Sequence, residues 1–323
     1  MCDPWTAAMR RGDFATAWQV SDGVLAQRNA EQVDCSSWPR HLHFVWRGQS
    51  LHNRRVLVRC YHGLGDTIQF VRLLAPLREL AAEVILWAQP SLLSLLATVK
   101  GVDRLLPLHD GAPDVPYDVD IELMELPHIL RLSVDTIPVD IPYIYVRDVH
   151  TDARHGLAHE GRSLRVGIAW QSGDWNSARS IPSSLIDNFA TVPNTRWHSL
   201  QYNALCPFDA QPMACKDIRA MAERMTQLDL VISPDTMTAH LAAAIGLPVW
   251  LLLQYECDWR WMSESAIAKG GGTPWYPTMR LFRQPSLGDW DSVIEQVLSA
   301  LRARAQLIQA RDTRSIGCTA FSG

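Results

Sequence analysis

One segment of the chain combines residue types that together could bind an anion. It reads SPDTMTAH (residues 233–240) and lies directly after an apolar, strand-like run, at the start of a predicted helix. Free backbone N–H groups and the positive end of a helix dipole converge at such a turn, and two hydroxyls add further donors. His240 lies one helical turn after Thr236 and could add another donor. The alternative is that Asp235 and Thr236 only cap the helix and that His240 is a half-buried histidine.

A second segment places a carboxylate at a glycine turn. Residues 62–66, HGLGD, follow a predicted strand and open a helical run. Glycine tolerates positive φ and adds no side chain, so the backbone of Gly63 and Gly65 could approach a ligand closely. The third glycine of a dinucleotide fingerprint is missing, and an aspartate at the helix start would repel a phosphate. Asp66 is therefore either a helix cap or a carboxylate that faces a cleft as a general base.

Two further segments contribute a cation and aromatic rings. Residues 170–173, WQSG, and Arg179 follow a predicted strand at its carboxyl end, where open α/β sheets bind ligands. Arg179 could neutralise a diphosphate, although a lone surface arginine is usually only solvated. The aromatic residues of 258–261, DWRW, and of 275–276 flank a glycine run and could clamp a base or a sugar, or form a small core beneath the loop.

The elements that must position these residues alternate between strand and helix. Strand-like runs at residues 55–60 and 83–87 precede helical runs at 67–81 and 90–99, and further strands are predicted near residues 105 and 119. This alternation predicts a parallel, doubly wound sheet. Polar residues 148–162 interrupt the rhythm, and we place a linker between two lobes there.

The second half of the chain repeats the α/β pattern. Strands are predicted at 164–170, 197–200, 228–232 and 249–253, with a helix at 235–245, a long amphipathic helix at 288–308 and a loose polar tail at 311–323. Residues 4–28 read as two short helices that resemble one tetratricopeptide unit. The predicted domains are therefore a helical hairpin with its connection (1–50), a first Rossmann-like lobe (51–160), a second one (161–287), and a C-terminal helix with its tail (288–323).

The composition fits a globular enzyme whose ligand is small or a neutral polymer. With 20% charged residues and a net charge of -4, the chain has no basic footprint for nucleic acid. Seven cysteines occur without a CxxC pair, which indicates neither a zinc site nor a disulfide framework. The first residues contain no apolar core of signal-peptide length, and no run of about 18 apolar residues occurs. We therefore expect a cytoplasmic protein without stable membrane insertion.

Taken together, these segments resemble the glycosyltransferase family 9 heptosyltransferases and their relatives fused to tetratricopeptide repeats. The similarity runs from about Arg54 to Leu301 and rests on HGLGDTIQF (62–70), RSIP (179–182), SPDTMTAHLAAAIGLPVW (233–250), DWRWM (258–262) and WYPTMRLFRQ (275–284). The resemblance implies an α/β GT-B fold of two Rossmann-like doubly wound lobes, the first for the acceptor and the second for the donor. It also implies metal-independent, inverting transfer from a nucleotide-diphosphate sugar, with no other cofactor. The expected acceptor is a glycan, a lipid-linked sugar or a protein.

The resemblance also implies roles for individual residues. Asp66 matches the catalytic base of the heptosyltransferases, Arg179 matches a basic position that contacts the diphosphate, and His240 matches the histidine of the donor-site motif. The other candidate residues are Trp170, Gln171, Ser172, Asp235, Thr236, Met237 and Thr238 for the donor, and His62, Gly63, Gly65, Gln69, Trp259 and Trp261 for the acceptor side or its loop. No metal ligand is predicted.

Two positions depart from the family pattern and leave the donor sugar open. Arg179 stands where the heptosyltransferases usually have a lysine, and Met237 stands where they have a glycine. A methionine at that turn crowds the approach of a phosphate. Besides an inverting sugar transferase, two alternatives remain: a nucleotide-sugar epimerase or hydrolase of the same fold, and a non-catalytic module that binds a nucleotide sugar or a protein.

Overall fold

The computed structural model describes residues 3–146, 163–266 and 272–319. The linker predicted at residues 148–162 lies outside these ranges. By its internal contacts the chain divides into two units. The first consists of Met1–Tyr145 together with Asp258–Pro277, and the second of Val146–Cys257 together with Thr278–Gly323.

The first unit is built on a parallel sheet of four strands in the order β3-β2-β1-β4. The strands are β1 (Arg55–Arg59), β2 (Glu83–Ala88), β3 (Arg104–Pro107) and β4 (Val119–Glu122). In the two central strands the interior positions are buried, as expected for a sheet covered on both faces. Val58 pairs with Leu86 on one side and with Ile121 on the other, so β1 lies at the centre of the unit.

The helices of the first unit are α1 (Pro4–Arg10), α2 (Phe14–Ala30), α3 (Leu64–Phe70), α4 (Leu74–Leu80), α5 (Leu93–Leu96) and α6 (Leu126–Ile129). Asp3 and Asp13 cap α1 and α2 by accepting from the backbone N–H of the third residue of each helix. Gly12, with φ of +74°, occupies the left-handed conformation between them. The two helices precede the sheet as a pair.

The helix predicted at residues 67–81 is divided in the structure. A 3-10 turn, Val71–Leu73, separates α3 from α4. Pro76 is the third residue of α4 and has no N–H to donate to the preceding turn. A proline is tolerated only in the first turn of a helix, so a new helix must begin just before it.

The second unit contains a parallel sheet of six strands in the order β10-β9-β8-β5-β6-β7. They are β5 (Leu164–Ile168), β6 (Thr195–Ser199), β7 (Gln211–Pro212), β8 (Leu230–Pro234), β9 (Val249–Leu253) and β10 (Met279–Arg283). Counted along this unit, the order is 6-5-4-1-2-3, which is that of dinucleotide-binding sheets. Its helices are α7 (Ser183–Ile186), α8 (Ile218–Met225), α9 (Met237–Ala244) and α10 (Trp290–Thr319).

The prediction of an α/β protein with parallel sheets is confirmed. The prediction of a loose tail from residue 311 is wrong, because α10 continues to Thr319. Residues 303–316 contain neither Gly nor Pro and are rich in Ala, Arg, Gln and Leu, which favour helix. None of the helices within the described ranges is long and apolar enough to cross a membrane.

Residues 258–277 follow β9 of the second unit in sequence but belong to the first unit. Their position in sequence, between the strands now seen as β9 and β10, predicts that they belong to the second lobe. Two buried arginines connect this segment to the rest of the first unit. Arg260 contacts α3, and Arg72 donates to the carbonyl oxygen of Trp275.

Candidate functional site

In each sheet the strand order reverses beside the first strand of the unit. These reversal points lie between β1 and β4 and between β5 and β8. Connections leave such a point in opposite directions, so a crevice opens at the carboxyl ends of the strands, where α/β proteins bind their ligands. Three of the four segments singled out in the sequence follow β1, β5 and β8, so they lie at these two reversal points.

In the second unit, the start of α9 follows the turn after β8 and lies at the crevice. Thr236 is the N-cap residue, yet its hydroxyl makes no capping bond to the helix and lies instead 3.1 Å from the hydroxyl of Ser233. The backbone N–H groups of the first turn of α9 are therefore not covered by a side chain of the N-cap residue. Such a helix start favours an anion.

Arg179 links the loop after β5 to this turn. Its Nη1 donates to the backbone oxygen of Asp235 over 2.7 Å. The guanidinium, which is only partly buried, thus lies at the entrance to α9. The sequence predicted a shared role for Arg179 and the 233–240 segment, and the structure brings them together.

Asp235 and His240 form a buried pair behind the turn. His240 Nε2 lies 3.4 Å from Asp235 Oδ1, and the two residues are 3% and 8% exposed. A histidine this deeply buried shapes the turn through Asp235. Thr238 is also buried, whereas Met237, at the first position of α9, is half-buried.

The residues directly after β5 differ in accessibility. Trp170 belongs to the hydrophobic core of the second unit and is 1% exposed, so only its backbone could meet a ligand. Gln171 is exposed, and its backbone N–H donates to Gln201 Oε1 over 2.9 Å. The Ser172 hydroxyl donates to the backbone oxygen of Asn176 over 2.8 Å and so shapes the loop that carries Arg179.

In the first unit, Asp66 is the third residue of α3 and both of its carboxylate oxygens have partners. Oδ2 accepts from the backbone N–H of Gly63 over 3.1 Å, which makes Asp66 a helix cap. Oδ1 lies 2.8 Å from Nη1 of Arg260. The side chain of Asp66 keeps 25% of its surface exposed, against 8% for Arg260. Asp66 is thus a helix cap, as one of the two alternatives predicted, and its carboxylate is still accessible to solvent.

Arg260 is the centre of a buried polar cluster. Its Nη1 also donates to Gln69 Oε1 over 2.8 Å, and its Nε donates to Asp258 Oδ1 over 2.9 Å. Gln69 is fully buried, and its Nε2 has no hydrogen-bond partner within the ranges that the structure describes. Gln69 therefore orients Arg260 rather than presenting itself to a ligand.

The two glycines of the turn do not have the positive φ that the sequence analysis considered for them. Gly63 has a φ of −66° and Gly65 lies inside α3, so neither needs the left-handed conformation. A Cβ on Gly63 would lie 3.2 Å from Asp66 Oδ2. The absence of a side chain at Gly63 therefore gives the Asp66 carboxylate room to reach back to the helix start.

Two glutamates at this reversal point were missed by the sequence analysis. Glu122, the last residue of β4, is 1% exposed and lies 3.6 Å from Nε2 of His62. Burial raises the pKa of Glu122 to about 8, and burial likewise raises the pKa of Glu125 to about 7. Burial also lowers the pKa of His62, so the pair is largely uncharged near neutral pH. Their position at the carboxyl end of a strand was the available signal, but it required the strand order.

The tryptophans of the 258–277 segment pack among other rings. Trp261 is fully buried. Trp259 is half-buried, and its ring centroid lies 5.3 Å from that of Trp5 and 6.4 Å from that of Phe70. This packing is the small core beneath the loop that the sequence left as an alternative.

Comparison with known proteins gives a distant relative and a shared fold. No protein-family profile matches the chain. Protein FlbA of Caulobacter vibrioides is 23% identical over 293 residues, which cover 80% of this chain and 48% of FlbA. The chain thus spans about half the length of this curated relative.

Two solved structures resemble most of the chain in fold. The glycosyl transferase family 9 protein from Veillonella parvula superimposes with a TM-score of 0.53 at 13% identity, covering 79% of this chain and 99% of that one. TibC, a dodecameric iron-containing heptosyltransferase from enterotoxigenic E. coli, solved with ADP-D-beta-D-heptose, gives a TM-score of 0.51 at 13% identity, with coverage of 83% and 78%. At this identity the likeness concerns the fold: the chain has the fold of these glycosyltransferases.

Proposed function

We propose that this chain is a glycosyltransferase that moves a sugar from a nucleotide-diphosphate sugar to an acceptor hydroxyl. The observation that supports it most is the start of α9, where Arg179 meets a turn whose N-cap makes no side-chain cap. A diphosphate needs this combination of backbone donors, helix dipole and cation. The fold shared with two glycosyltransferases supports the same class of reaction.

The proposed arrangement is GT-B: the second unit binds the donor, and the first, with its N-terminal helical pair, binds the acceptor. Asp66 acts as the base. It takes the proton of the acceptor hydroxyl while that oxygen attacks the anomeric carbon, and the carbon–oxygen bond to the diphosphate breaks with its electron pair going to the diphosphate. Attack opposite the leaving group inverts the anomeric carbon. Arg179 and α9 neutralise the departing charge without a metal ion.

The proposed diphosphate site indicates that the donor is a nucleotide-diphosphate sugar. It does not identify the sugar. TibC was solved with ADP-heptose. Met237 at the first position of α9 narrows the approach to the helix start, so we extend the proposal only to nucleotide-diphosphate sugars. We propose a glycan, a lipid-linked sugar or a protein as acceptor, and the cytoplasm as the place of reaction.

A second candidate is a non-catalytic module that binds a nucleotide sugar. One observation favours it: both carboxylate oxygens of Asp66 already have partners, the Gly63 N–H and Arg260. In this candidate the carboxylate serves as a helix cap and takes no proton from a ligand. An epimerase or a hydrolase would need further acid–base groups at the sugar, and His62 and Glu122, at the same reversal point as Asp66, are candidates for that role.

Ligand-induced stabilisation tests the donor site. The melting temperature of the purified chain is measured against nucleoside diphosphates and nucleotide sugars, with and without EDTA. A ligand at a hundredfold excess over its dissociation constant stabilises the folded state by about 2.7 kcal/mol. We expect one nucleotide series to stabilise the chain equally in both conditions. No stabilisation by any nucleotide would overturn the donor assignment.

Product analysis then separates the two candidates. The stabilising nucleotide sugar is incubated with the chain and with candidate acceptors, and release of the nucleoside diphosphate is followed by mass spectrometry. Transfer produces a glycosylated acceptor in equal amount. Stabilisation without any release of nucleoside diphosphate would favour the binding module.

A further inference from the structure

The first unit contains a cavity that the proposed reaction does not use. It has a volume of ≈ 750 Å³, and the connection between α2 and β1 forms one of its walls. The other walls come from the carboxyl end of β1, from residues 110–112 after β3, and from Asp120 in β4. All of these residues belong to the first unit.

This cavity lies on the sheet face opposite α3. Alternate residues of a strand point to opposite faces. Leu57 packs with Ile85 and Trp87 in one apolar cluster, and Tyr61 packs against that cluster. Cys60 instead interacts with Thr67 of α3. The cavity and the helix that carries Asp66 therefore lie on opposite faces of the same sheet.

Aromatic surface is available at the mouth of the cavity. Trp38 is 44% exposed, which is unusual for so large a ring. Phe44 holds it in an edge-to-face contact with 5.8 Å between centroids, and His43 Nε2 lies 2.8 Å from the backbone oxygen of Trp38. The backbone of Trp38 and one edge of its ring are thus held in place, while part of the indole faces solvent. A flat, immobilised ring of this kind can cover the C–H face of a pyranose at little entropic cost.

The charges of the cavity balance. Its lining includes three arginines and three aspartates, Arg40, Arg47, Arg59, Asp34, Asp110 and Asp120, so their formal charges sum to zero. Arg59 pairs with Asp120, and Arg40 lies 3.5 Å from Asp110. An anionic ligand would meet the aspartates and a cationic one the arginines. The lining favours an uncharged ligand that both accepts and donates hydrogen bonds.

One buried donor of the lining lacks a partner. Arg59 donates to Tyr61 Oη over 2.5 Å and to Asp120, but its Nε is buried without a hydrogen-bond acceptor among the described residues. An unsatisfied buried N–H costs free energy and is rare in folded proteins. A small shift of the Arg59 side chain toward a ligand hydroxyl in the cavity would supply the missing acceptor.

We propose that this cavity binds a neutral carbohydrate, with Trp38 against a sugar face and Arg59 and Asp120 on its hydroxyls. Paired carboxylates and guanidinium groups suit a polyol because each hydroxyl both donates and accepts. Binding at this site needs neither a nucleotide nor transfer. The site would serve to hold a glycan on the first unit.

The test is saturation-transfer NMR on the full chain without nucleotide. The probes are neutral sugars (methyl glucoside, methyl galactoside, methyl mannoside, N-acetylglucosamine and maltotriose), with glucuronic acid and glucosamine as charged comparisons. We expect transfer to at least one neutral sugar and weaker transfer to both charged ones. No transfer to any neutral sugar, or stronger transfer to a charged one, overturns the proposal.

Variants assign the signal to the cavity. Trp38→Ala removes a partly exposed ring and should lower the transferred saturation at least about fivefold. Tyr202→Ala, a control that removes a 51% exposed ring from the second unit, should leave it unchanged. Arg179→Ala should also leave it unchanged, so failure of the donor proposal and failure of this one are distinguishable. Equal transfer in Trp38→Ala and the wild-type chain would place the sugar elsewhere and refute the assignment.

Discussion

Asp66 and Asp258 are two carboxylates that share one cation, Arg260, but occupy different positions. Asp66 stands at the reversal point of the first sheet with a quarter of its side chain exposed. Asp258 lies in the same loop as Arg260 and accepts a hydrogen bond from its Nε over 2.9 Å. Because both contact the same guanidinium, their substitutions disturb the same cluster. Only Asp66 carries the proposed base function.

We predict that Asp66→Asn lowers turnover at least about a hundredfold while donor affinity is unchanged, because the amide cannot accept the acceptor proton. Asparagine can still cap α3. The matched control, Asp258→Asn, should keep most of its turnover. The measurement is steady-state transfer with the identified donor and acceptor. Equal turnover in both variants and the wild-type chain would show that Asp66 is a helix cap and not the base.

Glu122 makes stability depend on pH. Its pKa of about 8 in the folded chain lies above its ordinary value of 4.5, so the folded state keeps a proton that the unfolded chain releases between these values. The stabilisation is complete below the ordinary value and is lost as pH rises through about 8. We predict that the free energy of unfolding of the wild-type chain falls over this range by a few kcal/mol, at roughly 1.4 kcal/mol per pH unit.

Urea unfolding at several pH values checks this prediction. Glu122→Gln carries no ionisable group at this position, so its free energy of unfolding should fall less between about pH 5 and about pH 8 than that of the wild-type chain. Glu295→Gln, at an exposed position of α10, should keep the wild-type slope. An unaltered slope in Glu122→Gln would mean that Glu122 is ionised in the folded state.

The positions of single residues were predicted well where they directly follow a strand, and poorly where a partner is remote in sequence. Asp66, Arg179 and the 233–240 segment lie at strand ends, and periodicity alone located those ends. Glu122 was missed because its neighbour β1 is more than sixty residues away. The pairing of Arg260 with Asp66 depends on the path of a loop, which local propensity does not contain.

At the scale of elements, α9 carries the proposed donor site. Helix propensity and the strand before it located this helix to within two residues of its start. The sequence did not reveal that Thr236 would leave the first turn of the helix without a side-chain cap. That depends on the contact between the Ser233 and Thr236 hydroxyls, which withdraws the capping group.

We predict that Arg179→Met weakens binding of the identified nucleoside diphosphate roughly 10- to 100-fold, since a hydrogen bond to a charged group contributes about 1.5–3 kcal/mol. Arg165→Met is the matched control, because Arg165 pairs with Asp229 at the opposite end of β5 in the same unit. Isothermal titration calorimetry measures both. Loss of affinity in both variants would indicate a general disturbance of the sheet instead of a diphosphate contact.

At the scale of the whole molecule, the first unit is assembled from two separated stretches of chain. Arg72, 5% exposed, contributes to their connection. It donates to the backbone oxygens of Gln69 and Trp275, and its guanidinium lies 4.3 Å from the ring centroids of Tyr143 and Tyr276. Neither composition nor periodicity indicates which unit residues 258–277 join, since their aromatic content suits either core.

We predict that Arg72→Met lowers the free energy of unfolding by about 2–4 kcal/mol, because it leaves several buried acceptors unpaired. Arg78→Met removes an arginine from an exposed pair with Asp103 and should cost under about 1 kcal/mol. Chemical denaturation of the full chain compares the two. Similar losses in both variants would contradict a structural role for the buried guanidinium.

The divided first unit also has a consequence for synthesis on the ribosome. Arg260 follows its partner Gln69 by 191 residues. At the usual elongation rates of about 5–20 residues per second, the nascent chain waits roughly 10 to 40 s before this arginine is made. During that interval α3 and its carboxylate emerge without their cation. The N-terminal stretch therefore completes its fold only after residues 146–257 of the second unit have been translated.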